Sequence, residues 1–270
     1  MDMQTEESSQ HRNLEDLNFL ELVSGIHSED NKITQAMNQA LPAIAKLAEG
    51  IFERMLLGGR LFYAGAGTSG RLGVVDASEC PPTFGVPFDR VIGLMAGGDS
   101  AIRKAVEFAE DDTEQGWLDL KEWKVGPQDA VVGISASGRT PYVLGMLKSC
   151  KEAGIFTGCI VCNANSVIAA AVDAPVEVVT GPEFITGSTR MKAGTATKLA
   201  LNMLSTSIMV KLGHVQDNKM VDMQLTNHKL IERGTRMVQE ATALSPGEAR
   251  SLLLAMGSVR KAVEAYKNLG

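Results

Sequence analysis

Little in this chain offers a covalent or metallic staple. Four cysteines occur among 270 residues. Cys80, Cys150, Cys159 and Cys162 fall at the end of one expected helix, in another helix and in an apolar strand-like run, so they read as free thiols rather than a disulfide framework. Cys159 and Cys162 are spaced like metal ligands, but no second Cys or His pair accompanies them. Two buried strand cysteines and no metal site is the better reading. His11, His27, His214 and His228 stand far apart without nucleophile or ligand spacing, which leaves histidine chemistry unsupported. Positive charge is also short: the formal net charge of −6 and pI near 5.3 supply no basic field. No run of Lys and Arg interleaved with aromatics occurs, so nucleic acid is not expected as a partner. No apolar run reaches the roughly 18 residues of a membrane span, and the acidic, polar N-terminus has no leader pattern. The expectation is a cytoplasmic protein without a membrane partner. Internal repeats, low-complexity tracts and long linkers are absent too.

What is present, 44% hydrophobic and 21% charged residues, suits an ordinary globular chain with a well-buried core. Residues up to about Asn13 read as polar and mobile. Leu14, Leu17, Leu20, Val23 and Ile26 then predict a first helix, and Ser28 is a candidate N-cap for a second. In that second helix Ile33, Met37, Leu41, Ile44, Leu47, Ile51 and Met55 recur at helical spacing, Pro42 predicts a kink or break, and Gly58 and Gly59 predict the end. Its length makes it a candidate surface for a second subunit. Short apolar runs come next at 61–64, 91–96, 130–134, 156–161 and 174–179, separated by stretches long enough for crossover helices. The expected fold is therefore α/β: a five-stranded parallel sheet covered by helices on both faces, with ligands at the carboxyl ends of the strands. A long helix is expected over 188–212, and two or three more over 225–243 and 245–268, with Ser245 as cap and Pro246 at the first position. These give three segments: residues 1–57 helical, 58–215 the sheet domain and 216–270 helical.

Three polar turns fall at expected strand ends. After the first strand, Gly65, Gly67 and Gly70 permit a tight turn into a helix, with Thr68 and Ser69 beside the opening amides, as an anion site requires. That helix carries Asp76 and Glu79 to a stop at Pro81 and Pro82. After the third strand, Ser135, Ser137 and Thr140 add hydroxyls around Gly138. Such residues often only cap helices, but two such loops on one sheet edge favour a phosphate. The third turn, 186–195, is dense in hydroxyls and brings Arg190 and Lys192, cations that meet either an acidic substrate or merely solvent and a nearby carboxylate. Gly65, Gly67 and Gly70 also satisfy G-x-G-x-x-G, yet the acidic residue a dinucleotide needs is missing: Asp99 comes too late. Glu107 and Glu110 are expected to share a helix face, with Asp111 and Asp112 leading out of that helix; by default all are solvated charges.

Four blocks carry a family resemblance: GAGTSGRLGVVDASECPPTFG over 65–85, AVEFAED over 105–111, GISASGRTPYV over 133–143 and TGSTRMKAGTATKLALNML over 186–204. They resemble the sugar isomerase (SIS) type of phosphosugar-binding domain, and within it the bacterial N-acetylmuramic acid 6-phosphate etherases; the DASECPPT block is specific to that group and its relatives. The resemblance implies a three-layer α/β/α sandwich working as a homodimer, a sugar-phosphate substrate, no metal or organic cofactor, and cleavage of the D-lactyl ether by elimination and water addition. Gly67, Thr68, Ser69, Ser135, Ser137 and Thr140 would bind substrate. Glu79 would be the proton donor, Glu110 the base at carbon 2, and Glu107 a pocket wall. One carboxyl would have to stay protonated, which burial beside the substrate's negative groups would favour. Phe108 departs from the family's glycine, and the chain stops at Gly270 where many relatives continue. A non-catalytic phosphosugar sensor, like the two-domain glucokinase regulatory protein, and a phosphosugar isomerase are the alternatives.

Overall fold

The computed structural model describes residues 3–268; the outermost two residues of the first and last sequence segments lie outside them. A capping box at Asn18 and Glu21 starts α1 (Phe19–Asp30), after a single short turn over Leu14–Asp16. Ser28 therefore lies in the last turn of α1 and caps nothing; α2 (Ile33–Leu56) begins after Lys32. Helix α2 runs through Pro42 without a break and stops before Gly58, whose φ of 96° only glycine adopts comfortably.

The sheet strands are β1 (Leu61–Gly65), β2 (Val91–Met95), β3 (Ala130–Ser135), β4 (Phe156–Val161) and β5 (Ala174–Glu177). All pair in parallel, in the order β2-β1-β3-β4-β5. The chain passes from β1 to β2 on one side and then crosses back from β2 to β3 on the other side of β1, so the crevice at the carboxyl ends of β1 and β3 is the switch point where such sheets hold ligands. Between the strands run α3 (Gly67–Phe84), α4 (Ser100–Arg103), α5 (Gln115–Glu122), α6 (Pro141–Glu152) and α7 (Val167–Ala171), and α8 (Lys192–Lys211) comes after the sheet. One apolar layer joins α2, α3 and α8 to the sheet through Ile44, Leu47, Ile51, Tyr63, Val132 and Leu204. The opposite layer packs Phe62, Val131, Tyr142, Met146 and Ile168 under α5 to α7. These are the three layers expected.

Several expectations need correction. Helix α3 passes through Pro81 and Pro82 and ends instead at Gly85, with φ 70°; a Cβ there would lie 2.1 Å from the Asp222 carbonyl oxygen. Residues 107–111 form turns, not a helix: Phe108 holds φ 61°, a left-handed conformation that interrupts a right-handed helix. Asp112 accordingly leads into α5, where its carboxylate accepts from the N–H groups of Glu114 and Gln115. Helix α8 begins at Lys192 rather than 188, because the buried Glu183 carboxylate accepts from the N–H groups of Lys192 and Ala193. The N-terminal segment is held in place: Thr5 N–H donates to Asn163 Oδ1 at 3.1 Å and Ser9 Oγ–H donates to the Phe184 carbonyl at 2.7 Å.

After α8 comes an antiparallel pair, β6 (Val215–Gln216) and β7 (Lys219–Met220), absent from the expectation. Three helices close the chain, α9 (His228–Thr242), α10 (Pro246–Met256) and α11 (Val259–Lys267), around Met223, Val238, Leu253 and Val259. Ser245 caps α10 in a capping box with Glu248, as its position before Pro246 predicts.

Candidate active site

The residues of the β1 turn fold into the first turn of α3. Gly67 takes φ 53°, no side chain caps the helix at Ala66, and no acidic residue occupies its first turn. Opening amides thus point outward with the positive end of the helix dipole, suited to a phosphate. Gly65 and Gly70 are required by closeness: a Cβ on Gly70 would fall 2.6 Å from the Gly65 carbonyl oxygen. Beside this turn, Ile134 pairs with Gly65, so the β3 loop is its immediate neighbour. There the buried Ser135 hydroxyl binds Thr140 Oγ1 at 2.8 Å and Ser137 Oγ at 3.3 Å, and accepts from the Gly138 N–H at 3.1 Å.

A cleft of about 260 Å³ opens at this edge, lined by Gly67 and Arg71 of α3, Met95 and Ala96 at the end of β2, and the 105–110 loop with Glu107, Phe108 and Glu110. The loop is fixed at its far end, where the Tyr142 N–H donates to the Glu110 carbonyl at 3.0 Å. Glu107 and Glu110 thus meet at the cleft through a loop, not a shared helix face. Arg71, which no motif singled out, donates from Nε to the Ile102 carbonyl and from a terminal nitrogen to the Ala101 carbonyl, both at 2.7 Å. A cation near the start of a helix opposes the dipole, and that is the one signal of it the sequence carries.

Of the two alternatives open for Lys192, the structure takes the nearby carboxylate. Lys192 is buried and donates to Glu29 Oε2 at 2.6 Å and to the Pro182 carbonyl at 2.8 Å, so it meets a carboxylate and not the cleft. Burial alone would raise the Glu29 carboxyl, but hydrogen bonds from Lys192, Lys32 and His11 outweigh it and bring the group from 4.5 to about 2. The α8 start is already satisfied by Glu183, which leaves the 186–195 turn without open helix amides for an anion.

Glu79 is the larger discrepancy. It is exposed on α3 and does not line the cleft. A little over three turns separate it from Gly67, roughly 18 Å along the axis. Its helix is rigidly placed, since buried Asp76 accepts from Asn202 Nδ2 and Ser205 Oγ of α8 at 3.1 Å each. Glu79, Glu107 and Glu110 all face solvent, so the burial expected around one of them is not supplied within a single chain.

Of the cysteines, all four are buried as free thiols, and burial pushes each up to about 12. His214 contacts Asp222, and His11 contacts Glu29. Among the described residues no helix is long and apolar enough to cross a membrane.

Residues 43–151 match the glucokinase regulatory protein N-terminal SIS domain. A protein of Christiangramia forsetii named N-acetylmuramic acid 6-phosphate etherase is 58% identical over 98% of this chain and 96% of its own length. The chain belongs to that etherase family. A Bacteroides thetaiotaomicron etherase is 54% identical over 97% of this chain and 95% of its own. One from Halalkalibacterium halodurans is 52% identical over 92% and 84%. Among solved structures, a putative sugar-phosphate isomerase from Listeria monocytogenes aligns with TM-score 0.52 at 18% identity, over 74% of this chain and 94% of that one. A phosphoheptose isomerase from Francisella tularensis aligns with TM-score 0.52 at 17% identity, over 72% and 100%. Both place this etherase-family chain in the SIS fold.

Proposed function

We infer that this protein cleaves the D-lactyl ether of N-acetylmuramic acid 6-phosphate, giving N-acetylglucosamine 6-phosphate and D-lactate. The observation that supports it is the meeting, in one cleft, of the uncapped α3 start at Gly67 with the carboxylates of Glu107 and Glu110. An anion-binding turn then sits beside a base.

In this reading Gly67, Thr68 and Ser69, with Ser135, Ser137 and Thr140, hold the phosphate through amides and hydroxyls. The open-chain aldehyde makes the hydrogen on carbon 2 acidic, and Glu110 removes it. The electron pair forms the carbon 2–carbon 3 double bond as the carbon 3–oxygen bond breaks, while Glu79, outside the cleft of its own chain, protonates the departing lactate oxygen from the second subunit of the homodimer that the family resemblance implies. Water next adds at carbon 3, losing its proton to Glu79, and Glu110 returns a proton to carbon 2. Each carboxyl ends in its starting state. Glu107 lines the wall beside the base.

The test is release of D-lactate from the 6-phosphate substrate. Glu79→Gln and Glu110→Gln are each expected to lower the rate on the order of 10²–10⁴-fold, as loss of a general acid or base does, with the melting temperature unchanged. In deuterium oxide the product should carry deuterium at carbon 2. Lactate released without that label would contradict the elimination route, and tight binding of substrate without lactate would contradict the activity.

A further inference from the structure

Residues 4–9 read Gln-Thr-Glu-Glu-Ser-Ser and contain no large apolar side chain. Ordering such a terminal segment costs conformational entropy that apolar burial does not offset here, so hydrogen bonds must hold it. Thr5 and Ser9 are its buried anchors, while Glu6, Glu7 and Ser8 between them face solvent. Thr5 forms a closed pair with Asn163, just after β4: its N–H donates to Asn163 Oδ1 at 3.1 Å, and its Oγ1 accepts from Asn163 Nδ2 at 2.9 Å. Asn163 Nδ2 also donates to the Ala136 carbonyl at 2.9 Å, and the Cys162 N–H donates to that carbonyl at 3.0 Å. Ala136 stands between Ser135 and Ser137 in the loop after β3. Met3, Ser137 and Asn163 line one narrow gap, so the segment lies directly against that loop. At its other end, the Ser9 N–H donates to Thr186 Oγ1 at 2.9 Å. A Cβ on Gly194 of that same turn would lie 3.5 Å from Thr68 Cγ2. The segment therefore joins two polar turns, one carrying Ser135 and Ser137 and the other abutting Thr68.

We propose that residues 4–9 are a strap that positions the phosphate-binding loop, with Thr5 and Asn163 as positioning residues acting through the Ala136 carbonyl. The effect on catalysis rests on the etherase reading, in which Ser135, Ser137 and Thr140 hold the phosphate. Neither Thr5 nor Asn163 lines the cleft, and both are buried, so their influence on substrate is indirect. A peptide unit is planar and trans, so a carbonyl held toward Asn163 turns the N–H of Ser137 the opposite way. Without that anchor the peptide is free to rotate, and the Ser135 and Ser137 hydroxyls, 3.3 Å apart, can satisfy each other rather than a ligand. Asn163 in turn needs Thr5. Its amide is buried, and an Nδ2 hydrogen left without Thr5 Oγ1 would have no water to replace it.

Calorimetric titration of the full chain with N-acetylglucosamine 6-phosphate reads the loop without requiring turnover. Thr5→Val keeps the side-chain shape and removes the oxygen that Asn163 Nδ2 meets. It should raise the Kd for this ligand on the order of tenfold, equivalent to about 1.4 kcal/mol. KM for lactate release should rise with it while kcat stays within about twofold, as loss of binding common to substrate and transition state requires. Thr5→Ser keeps the hydroxyl and should restore both constants. Asn163→Ala should weaken binding at least as much, and adding Thr5→Val to it should change nothing more, because Thr5 acts through Asn163. A lower melting temperature with unchanged Kd in both single variants would assign the segment to stability alone and overturn the proposal. Additive effects in the double variant would overturn the route through Asn163. Binding that Thr5→Val still weakens, in a protein that releases no lactate, would refute the etherase activity and leave the strap standing.

Discussion

Ser135 bonds to three partners in the loop after β3, touching Ser137, Thr140 and the Gly138 N–H. Ser135→Ala should therefore loosen the phosphate loop, raising KM for the sugar phosphate more than it lowers kcat, with a stability cost of about 1 kcal/mol. Steady-state kinetics beside a urea titration would check both. Glu29 makes the opposite kind of contribution. Its carboxylate anchors α1 to buried Lys192 on α8 and also contacts Lys32 and His11. Glu29→Gln leaves the Lys192 ammonium buried without its counter-charge, a change that costs about 3–5 kcal/mol. The pH dependence arises from a carboxyl lowered from 4.5 to about 2. The ionised folded form binds fewer protons than the unfolded chain, so this stabilisation is complete above about pH 5 and is lost as pH falls toward 2. The gap in urea midpoint between the two proteins should be constant above about pH 5 and narrow below it. A gap that widened on acidification would contradict the assignment.

Gly145 shows how one element controls another. It lies inside α6, where alanine is better by about 1 kcal/mol on helix propensity alone. A Cβ there, however, would stand 1.9 Å from the Thr113 carbonyl oxygen, and Thr113 comes just after the loop that carries Glu107 and Glu110. Gly145→Ala should push that loop outward; a shift on the order of 1 Å costs on the order of 10²-fold in rate. Lactate release should fall with helicity unchanged, and full activity would show that the loop yields freely. The same loop explains what could and could not be read from the chain. Strands β1 to β5 announced themselves as apolar runs between turns, and α10 through Ser245 and Pro246. The stretch with Glu107 and Glu110 read as helix because the two have helical spacing, and spacing says nothing of the left-handed Phe108. Ser28 misled because a stronger box at Asn18 and Glu21 had already started the helix. The α8 start was hidden for another reason: its cap, Glu183, lies nine residues upstream of Lys192 and reaches it only through the fold. Contacts such as Thr5 with Asn163 span most of the chain and leave no local pattern.

The sheet, its switch point and both candidate phosphate turns follow from the order of strands and glycine turns, so the framework of the candidate site was legible before the fold. Glu110 and Glu107, singled out by motif, line the cleft on a loop rather than on the expected helix. Glu79 was named by motif alone, and only the structure shows that its own cleft is out of reach. One activity decides the function of this chain. Purified protein incubated with N-acetylmuramic acid 6-phosphate should release D-lactate and N-acetylglucosamine 6-phosphate in equal amounts, with release all but abolished by Glu110→Gln. Undiminished lactate release from Glu110→Gln, or none from the unsubstituted protein, would contradict it.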